Sequence, residues 1–260
     1  MNVDTKAYWL EQAEADVPTN NQWLSAGELT RLAGLRFAKR RAEWRLGRWT
    51  AKRAVASYLN LPVDVHRLQD IEIQPALSGA PEVVLFNERA ALSISLSHRA
   101  GRALCVVGLS AASLGCDLEV VESRDISFLT DFFTADEQEL VARAPADERP
   151  RLATLLWSAK ESALKALQVG LRLDTTSLDV STRERAAQRA GDSQPDAFAD
   201  WSPLLVRRVG GQTLYGWWRC ANNMVRTVVF NPAWQLTQAV TEYSSGVASS
   251  ATSSCGGATT

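Results

Sequence analysis

The sequence has 260 residues, enough for one large domain or two small ones with a sizeable hydrophobic core. Hydrophobic residues make up 46% and charged residues 22%, which is typical of a globular protein, and no apolar run is long enough to span a membrane. The net charge is −1, but residues 31–53 hold nine basic side chains against Glu43 alone, a local +8 that leaves −9 for the remainder. Such a basic block suggests an anionic partner bound at one place.

The scarcity of certain residue types argues against common catalytic sites. The two histidines, His66 and His98, are too few for a His-rich zinc site. The four cysteines show no CxxC spacing, so we expect free thiols rather than a disulfide scaffold. There is no Walker A loop, no GxGxxG fingerprint and no GxSxG elbow. The acidic N-terminus lacks the apolar region of a signal peptide, which favours a cytoplasmic protein.

The first part of the chain predicts two helices. Ser25 to Glu28 forms a capping box that opens a short helix, and residues 38–59 are predicted as a longer one. Helical spacing puts Gly47 and Arg48 on the same face as an apolar stripe made of Trp44, Ala51, Val55, Tyr58 and Leu59. An arginine beside a buried stripe needs an anionic partner, and a glycine there allows close approach.

The middle of the chain predicts strands. A turn at Ser78 to Pro81 precedes "ALSISLS" (91–97), where apolar residues and serines alternate as they do in a half-buried strand. The turn "HRAGR" then leads to the strand "ALCVVGL" (103–109). His98 stands at a strand end, where side chains point into a cleft more often than into the core.

The next strand, "SLGCDLEVV" (113–121), places acids among apolar residues. Because strand side chains alternate, Asp117 and Glu119 share one face, opposite Leu114, Cys116, Leu118 and Val120. Two carboxylates side by side repel each other unless a cation lies between them.

The last part of the chain mixes helix and strand. Thr134 to Glu137 is a second capping box, and a helix is predicted from Pro150 to Leu167, ending at Gly170. A loop and strand follow, then a polar insertion at residues 183–200. Three short strands with turns at Gly210–Gly211 and Asn222–Asn223 end near Phe230. Residues 244–260 are rich in Ser, Thr, Ala and Gly and are expected to be a disordered tail.

The helix from Pro150 carries a possible third acid for the strand pair. Glu161 and Lys165 are four residues apart and lie along one side of it. Glu161 could join Asp117 and Glu119, and three oxygen ligands without His or Cys suit Mg²⁺ better than Zn²⁺. Lys165 could then neutralise a phosphate leaving group.

Each of these features also has a simpler interpretation. Asp117 and Glu119 could be solvated residues of an edge strand, and Glu161 and Lys165 a surface ion pair. The basic block could be a solvated helix face. Trp157 is interpreted as a core residue and left out of the site, and Cys116 as a small buried residue.

The motifs "SLSHRAGRALCVVG", "LGCDLE", "FFTADE" and "WSAKESALKAL", in this order, resemble the 4′-phosphopantetheinyl transferases of the surfactin-synthetase-activating type. The likeness runs from about Arg31 to Val180 and more loosely to Phe230. It implies an α+β fold of two similar halves in a pseudo-two-fold arrangement with the active site between them. We expect the halves at residues 1–112 and 113–243, meeting near Ala111 to Leu114, with 244–260 as the tail.

The resemblance also implies a reaction and its partners. Enzymes of this family transfer phosphopantetheine from coenzyme A to a serine of an apo acyl or peptidyl carrier protein, use Mg²⁺ and release 3′,5′-ADP. The expected partners are therefore coenzyme A and the carrier, with no nucleic acid and no membrane, and the expected state is a monomer.

Matched position by position, the resemblance assigns roles to individual residues. Asp117, Glu119 and Glu161 would bind the metal. Glu161, or a water held by the acids, would take the proton from the carrier serine, and Lys165 would stabilise or protonate the departing phosphate. The residues that would contact coenzyme A are Arg31, Gly79, Ser97, His98 and Lys165.

Two positions depart from the family pattern. The turn that often contains a lysine between its glycine and proline has Ala80 here, and Ala33 replaces a residue that is often basic. Arg99 or Arg102 is a possible replacement for the missing lysine.

Two other functions stay open on sequence grounds. One is a non-catalytic module that uses residues 31–53 to bind nucleic acid or an acidic protein. The other is a Mg²⁺-dependent phosphodiesterase that cleaves coenzyme A or a holo carrier with the same ligands.

Overall fold

The computed structural model describes residues 7–61, 64, 67–109, 113–182, 201–230 and the backbone of 241–242. Its helices are α1 (Ala26–Ala33), α2 (Ala38–Tyr58), α3 (Ile126–Phe132), α4 (Ala135–Arg143) and α5 (Arg149–Ala166). Its strands are β1 (Tyr8–Ala13), β2 (Ile71–Pro75), β3 (Pro81–Leu85), β4 (Glu88–Arg89), β5 (Leu92–Arg99), β6 (Arg102–Leu109), β7 (Leu114–Val120), β8 (Leu178–Thr182), β9 (Ser202–Arg208), β10 (Thr213–Ala221), β11 (Met224–Phe230) and β12 (Thr241–Glu242). This mixture of helix and sheet agrees with the predicted α+β class.

Three sheets organise the described strands. The first has the order β12-β1-β6-β5, the second β2-β3-β4 and the third β7-β11-β10-β9-β8. All pairs are antiparallel except β1 with β12. The N-terminal part (residues 7–109) thus contains the strands that α2 covers, and the C-terminal part (residues 113–230) those that α5 covers. No helix among the described residues is both long and apolar enough to cross a bilayer.

Helix α2 packs its predicted apolar stripe into the N-terminal core. Trp44, Ala51, Val55, Tyr58 and Leu59 all belong to the cluster that includes Leu10 and Cys105 of the first sheet. Gly47 is buried, and the Arg48 side chain is only 14% exposed. Arg48 lies over the ring of Trp44 at 4.9 Å, with its Nε 3.9 Å from Glu28. Burial lowers the pKa of Arg48, and Glu28 opposes this as the anionic partner that the sequence required.

Helix α5 packs on the third sheet over a second core cluster, which includes Leu156, Ala159 and Val229. It ends at Ala166, one residue before the predicted end at Leu167, but Gly170, the residue expected to end it, lies four positions further on. The chain leaves the helix at Gln168, which has a φ of +56° and puts a non-glycine residue in the left-handed region. Gly170 follows at +54° and begins a short 3-10 turn.

The other predicted elements are confirmed where the structure describes them. Both capping boxes are present, and the turns have positive φ at Gly79, Gly210, Asn222 and Asn223. His66, the insertion at 183–200, the tail at 244–260 and part of the expected junction at 111–114 lie outside the described residues.

A buried Glu–Lys pair occurs in both parts of the chain. Glu28 of the first capping box pairs with Lys52 of α2, and Glu137 of the second capping box pairs with Lys160 of α5 at 2.6 Å. Both lysine side chains are 0% exposed and both glutamates 2%. Burial of that degree is tolerated only when the remaining hydrogen-bonding capacity is satisfied.

The partners of the two pairs correspond position by position. Each lysine donates to a carbonyl five residues before its glutamate: Lys52 to Trp23 at 2.9 Å and Lys160 to Phe132 at 3.0 Å. Each also donates to a carbonyl in the strand-entry turn, at Leu68 or Thr175. Each glutamate accepts from the amide five residues after that carbonyl, at Ile73 (3.1 Å) or Val180 (2.9 Å). Each of the two parts therefore contains the same arrangement of contacts around its buried Glu–Lys pair, which we call the shared scaffold.

The N- and C-terminal parts meet over an apolar cluster and several ionic contacts. Trp9 and Leu104 pack there against Leu118 and Val228. At its edge Glu11 of β1 accepts from Arg226 of β11, at 2.8 Å from Nη2, and also pairs with Arg102. Burial raises the pKa of Glu11, but the two arginines outweigh it and hold the pKa below its ordinary value. Since β7 lies in this interface, the contact helps to position the acidic strand.

Candidate active site

The acids of β7 lie on the face that the sequence predicts. Leu114, Cys116 and Leu118 point into the cluster between the two parts of the chain. Asp117 and Glu119 alternate with them and face α5, as their contacts with Lys165 and Trp157 show. Strand β7 is also at the end of its sheet, where its Cys116 amide donates to Ser95 Oγ of β5 at 3.0 Å. The acids therefore lie between β5 and α5.

Gly115 lets α5 approach this strand closely. A Cβ at Gly115 would overlap the Ser162 carbonyl oxygen and lie 2.6 Å from the Ala166 amide nitrogen. Both are backbone atoms of α5, which cannot move aside as a side chain could. The glycine of the "LGCDLE" motif thus sets the spacing between the strand acids and the helix that carries Glu161 and Lys165.

We expect Gly115→Ala to lower the free energy of unfolding by about 3 kcal/mol and to abolish activity, because α5 must shift away from β7. Thermal and urea unfolding measure the first effect. Gly47→Ala is the matched control, since no described atom lies within 4 Å of its added Cβ, and alanine favours the helix. If Gly115→Ala were as stable as Gly47→Ala, the close approach would not be a constraint.

Asp117 is buried and accepts hydrogen bonds from two neighbouring side chains. Its Oδ1 accepts from Lys165 Nζ at 2.8 Å and from Ser97 Oγ at 2.9 Å. Its Oδ2 is buried without a hydrogen-bond partner among the described residues. Lys165 also donates to the Cys116 carbonyl at 3.0 Å. A buried carboxylate with one free oxygen is suited to receive a further cation or donor.

Glu119 is half-buried and contacts three side chains. Its Oε1 accepts from Trp157 Nε1 at 3.3 Å. Its Oε2 lies 3.4 Å from Arg99 Nε and 3.9 Å from Arg124 Nη2. Burial and the neighbouring Asp117 raise the pKa of Glu119, against the lowering effect of the two arginines and Trp157.

Glu161 lies within electrostatic range of both strand acids. Burial raises the pKa of Glu161 first, and the nearby charges of Asp117 and Glu119 raise it further, while Lys165 lowers it. The three carboxylates therefore influence one another electrostatically.

Asp117, Glu119 and Glu161 offer only carboxylate oxygens, which suit a hard divalent cation, although the three side chains are not arranged around a common point. No group of three or more His, Cys, Asp or Glu side chains in the described part of the chain is arranged to hold a metal ion. The acids are instead balanced by Lys165 on Asp117 and by Arg99 and Arg124 on Glu119. Asp117 Oδ2 is a buried carboxylate oxygen without a hydrogen bond among the described residues, and carboxylate oxygens are the ligands that Mg²⁺ prefers.

His98 links the site to the basic segment. Desolvation lowers the pKa of His98, as do Arg40 of α2 and Lys165 of α5, while Glu43 raises it. His98 is therefore within electrostatic range of charges on α2 and on α5. Ser97, next to it, donates to Asp117. Charges of the basic segment thus act on His98, the chain neighbour of a residue that contacts Asp117.

A cavity of about 400 Å³ lies next to Lys165. It is lined by the Gly79 turn, Arg89, Ser93 and Ser95, and by Lys165 and Gln168 at the end of α5. The structure thus brings two of the predicted contacts, Gly79 and Lys165, to one space. Arg31 does not line the cavity; it is exposed at the end of α1, close enough to Arg48 to lower that residue's pKa.

Neither arginine suggested as a replacement for the missing lysine is at the Gly79 turn. Arg102 is paired with Glu11, because its strand position opposite Ala13 directs it to β1. Arg99 is paired with Glu119 and Glu122. Among the described residues Arg89 is the arginine that lines the cavity beside Ala80.

The sequence analysis left out two residues of this site. Trp157 was interpreted as core packing; it does pack against Phe128 and Phe132, but it also donates to Glu119. Its position one turn before Glu161 was a usable signal. Arg124, whose guanidinium lies 4.7 Å from the Phe128 ring centre, had no such periodic signal, because it precedes α3 in a loop.

Comparisons with known proteins address the C-terminal part most directly. Residues 113–210 match the family model of the 4′-phosphopantetheinyl transferase superfamily. The 4′-phosphopantetheinyl transferase HetI of Nostoc sp. (strain PCC 7120) is 29% identical over 167 residues, which are 62% of this chain and 67% of that protein. The crystal structure of Helicobacter pylori holo-[acyl-carrier-protein] synthase in complex with coenzyme A matches at 22% identity and a TM-score of 0.32, over 40% of this chain and 99% of that one.

Proposed function

This chain is a phosphopantetheinyl transferase, and from that premise we propose that it moves the 4′-phosphopantetheine group of coenzyme A to a serine of an apo acyl or peptidyl carrier protein, with release of 3′,5′-ADP. The observation that carries the proposal is the meeting of two distant segments: Lys165 of α5 contacts Asp117 of β7 at 2.8 Å, and Glu161 of the same helix lies within electrostatic range of that acid. Cation and carboxylates thus stand together where a pyrophosphate can be bound and cleaved.

Asp117, Glu119 and Glu161 would hold Mg²⁺ in this enzyme, which fits the oxygen-only donor set and the free Asp117 oxygen. When bound, the ion neutralises pyrophosphate oxygens and so favours departure of the nucleotide phosphate.

Glu161 would accept the serine proton, and Lys165 would stabilise the leaving phosphate. Burial and neighbouring acids raise the pKa of Glu161, which makes it a better proton acceptor for the carrier serine than an exposed glutamate. Burial alone would lower the pKa of Lys165, but Asp117, Cys116 and Glu161 together raise it above its ordinary value. Lys165 therefore stays protonated and can stabilise the departing phosphate.

The nucleotide would bind along the basic segment and the cavity. Burial lowers the pKa of His98, and its ring would bind a phosphate by hydrogen bonding. Arg40 and Arg31 would supply positive charge on α2 and α1. The Gly79 turn, whose glycine has a φ of +87°, would pack against the adenosine.

The two-part arrangement supports a transferase of the surfactin-synthetase-activating type. The paired Glu28–Lys52 and Glu137–Lys160 scaffolds are consistent with two similar halves, at residues 1–112 and 113–243, related by a pseudo-two-fold axis. In that arrangement the acids of β7 lie next to Ser97 and His98 of the first half, and both halves contribute to one site. A single chain would then be sufficient for activity.

Mass spectrometry of a panel of apo carrier proteins tests the proposal. We expect each accepted carrier to gain one phosphopantetheine group only when the enzyme, coenzyme A and Mg²⁺ are all present, and EDTA to abolish the gain. Free 3′,5′-ADP without modified carrier would indicate a phosphodiesterase instead. Salt-sensitive binding of nucleic acid or an acidic protein that survives Asp117→Ala, without any transfer, would favour a non-catalytic module built on residues 31–53.

A further inference from the structure

We propose that Arg99 is an internal counter-ion of Glu119 that the metal must displace, and that it is free to bind the anionic substrate once displaced. The inference rests on the proposed function, since it takes Glu119 as a metal ligand. It gives Arg99 a role different from the one considered on sequence grounds, which was to replace the lysine missing at Ala80.

The first step is the division of contacts on Glu119. One oxygen, Oε1, is held by Trp157 Nε1, which packs between Phe128 and Phe132 and so gives the carboxylate a fixed anchor. The other oxygen, Oε2, is buried without a hydrogen bond of its own and faces Arg99 Nε at 3.4 Å. A metal that uses Oε2 would therefore meet Arg99 first.

The second step is the difference between the two arginines beside Glu119. Arg124 is 16% exposed and lies over the Phe128 ring, so packing holds it in place. Arg99 is 45% exposed and stands at the end of β5, before a turn whose Ala100 and Gly101 both have positive φ. Arg99 is therefore the one of these two that can move without disturbing the core.

The third step is the alternative partner of Arg99. Its Nη2 contacts Glu122 at 2.9 Å, a shorter distance than its contact with Glu119. Glu122 is 41% exposed, at the rim of the site, and Arg124 also pairs with it at 3.2 Å. Loss of the Glu119 contact would leave Arg99 paired with Glu122. Because Arg99 follows His98 directly in the chain, its flexible side chain would then be available to the phosphates that are proposed to bind next to His98.

Titration calorimetry of the full chain with Mn²⁺, without coenzyme A, tests the inference. We expect Arg99→Gln to bind Mn²⁺ about three- to tenfold more tightly than the wild type, because a competing cation is gone. The same variant should show a higher KM for coenzyme A. Arg151→Gln is the matched control: that arginine is 46% exposed and pairs with Glu148 at 3.3 Å at the start of α5. It should change neither quantity.

Each outcome of the calorimetry either supports or overturns the inference. Tighter Mn²⁺ binding by Arg99→Gln alone supports the inference. Equal or weaker binding overturns it, and the carrier-modification assay then decides separately whether the proposed function stands. Absence of Mn²⁺ binding in all three proteins overturns it as well. Thermal unfolding of each variant in EDTA shows whether a difference in affinity comes from a difference in folding.

Discussion

Glu161→Gln is expected to reduce transfer to the carrier by about 10³-fold while the protein stays folded. Glutamine has the same shape as glutamate, but it neither accepts the serine proton nor contributes negative charge to a metal. The initial rate of carrier modification at saturating coenzyme A measures the loss.

Stability should change in the opposite direction. The folded state raises the pKa of Glu161, so its charge opposes folding above the ordinary value of 4.5. In EDTA we therefore expect Glu161→Gln to unfold at the same or a higher temperature than the wild type at pH 7. The difference should shrink as the pH falls and the wild-type carboxyl becomes protonated in both states.

Glu139→Gln provides the control for both measurements. Glu139 lies on α4, is 58% exposed and pairs only locally with Arg143, four residues away. Its replacement should leave transfer unchanged. Undiminished transfer by Glu161→Gln, with Glu139→Gln as reference, would remove Glu161 from the reaction.

Lys160→Met is expected to lower the free energy of unfolding by about 3–5 kcal/mol, because it leaves Glu137 buried without a cation. The variant also loses the hydrogen bonds to Phe132 (3.0 Å) and Thr175 (2.8 Å). We expect a smaller cost for Lys52→Met at the corresponding position, because Arg48 stays 3.9 Å from Glu28. Urea unfolding of each variant measures it.

The double variant Glu137→Gln, Lys160→Met separates the attraction between the two charges from the free-energy cost of burying each of them. Burial raises the pKa of Glu137 and lowers that of Lys160, so each charge costs free energy in the core. Removing both charges should therefore be less destabilising than the sum of the two single changes. A strictly additive result would mean that the two charges do not interact, and the shared scaffold would then be only a geometric coincidence.

Local patterns predicted most of the secondary structure. Both capping boxes, the alternation in β5 and β7, and the turns at Gly79, Gly210 and Asn222 depend on neighbours within a few residues of each other. The choice of Gly170 as the residue that ends α5 was wrong, because it relied on the local preference of glycine for positive φ. Gln168 adopts a left-handed conformation that glycine would favour, which residue type alone does not indicate.

The sequence also determined which residues face the site. Period-two alternation puts Asp117 and Glu119 on one side of a strand, and helical spacing puts Glu161 and Lys165 on one side of a helix, whatever else the chain does. These relations are local, so they hold before any tertiary contact forms.

Only the tertiary structure decided which groups meet. The contact of Trp157 with Glu119, the pairing of Arg99 with Glu119 and Glu122, and the commitment of Arg102 to Glu11 join segments between 20 and 91 residues apart. Such contacts depend on the distance between β7 and α5, which Gly115 sets, and on how the first and third sheets pack. No local pattern encodes those distances, because they result from packing two large surfaces together.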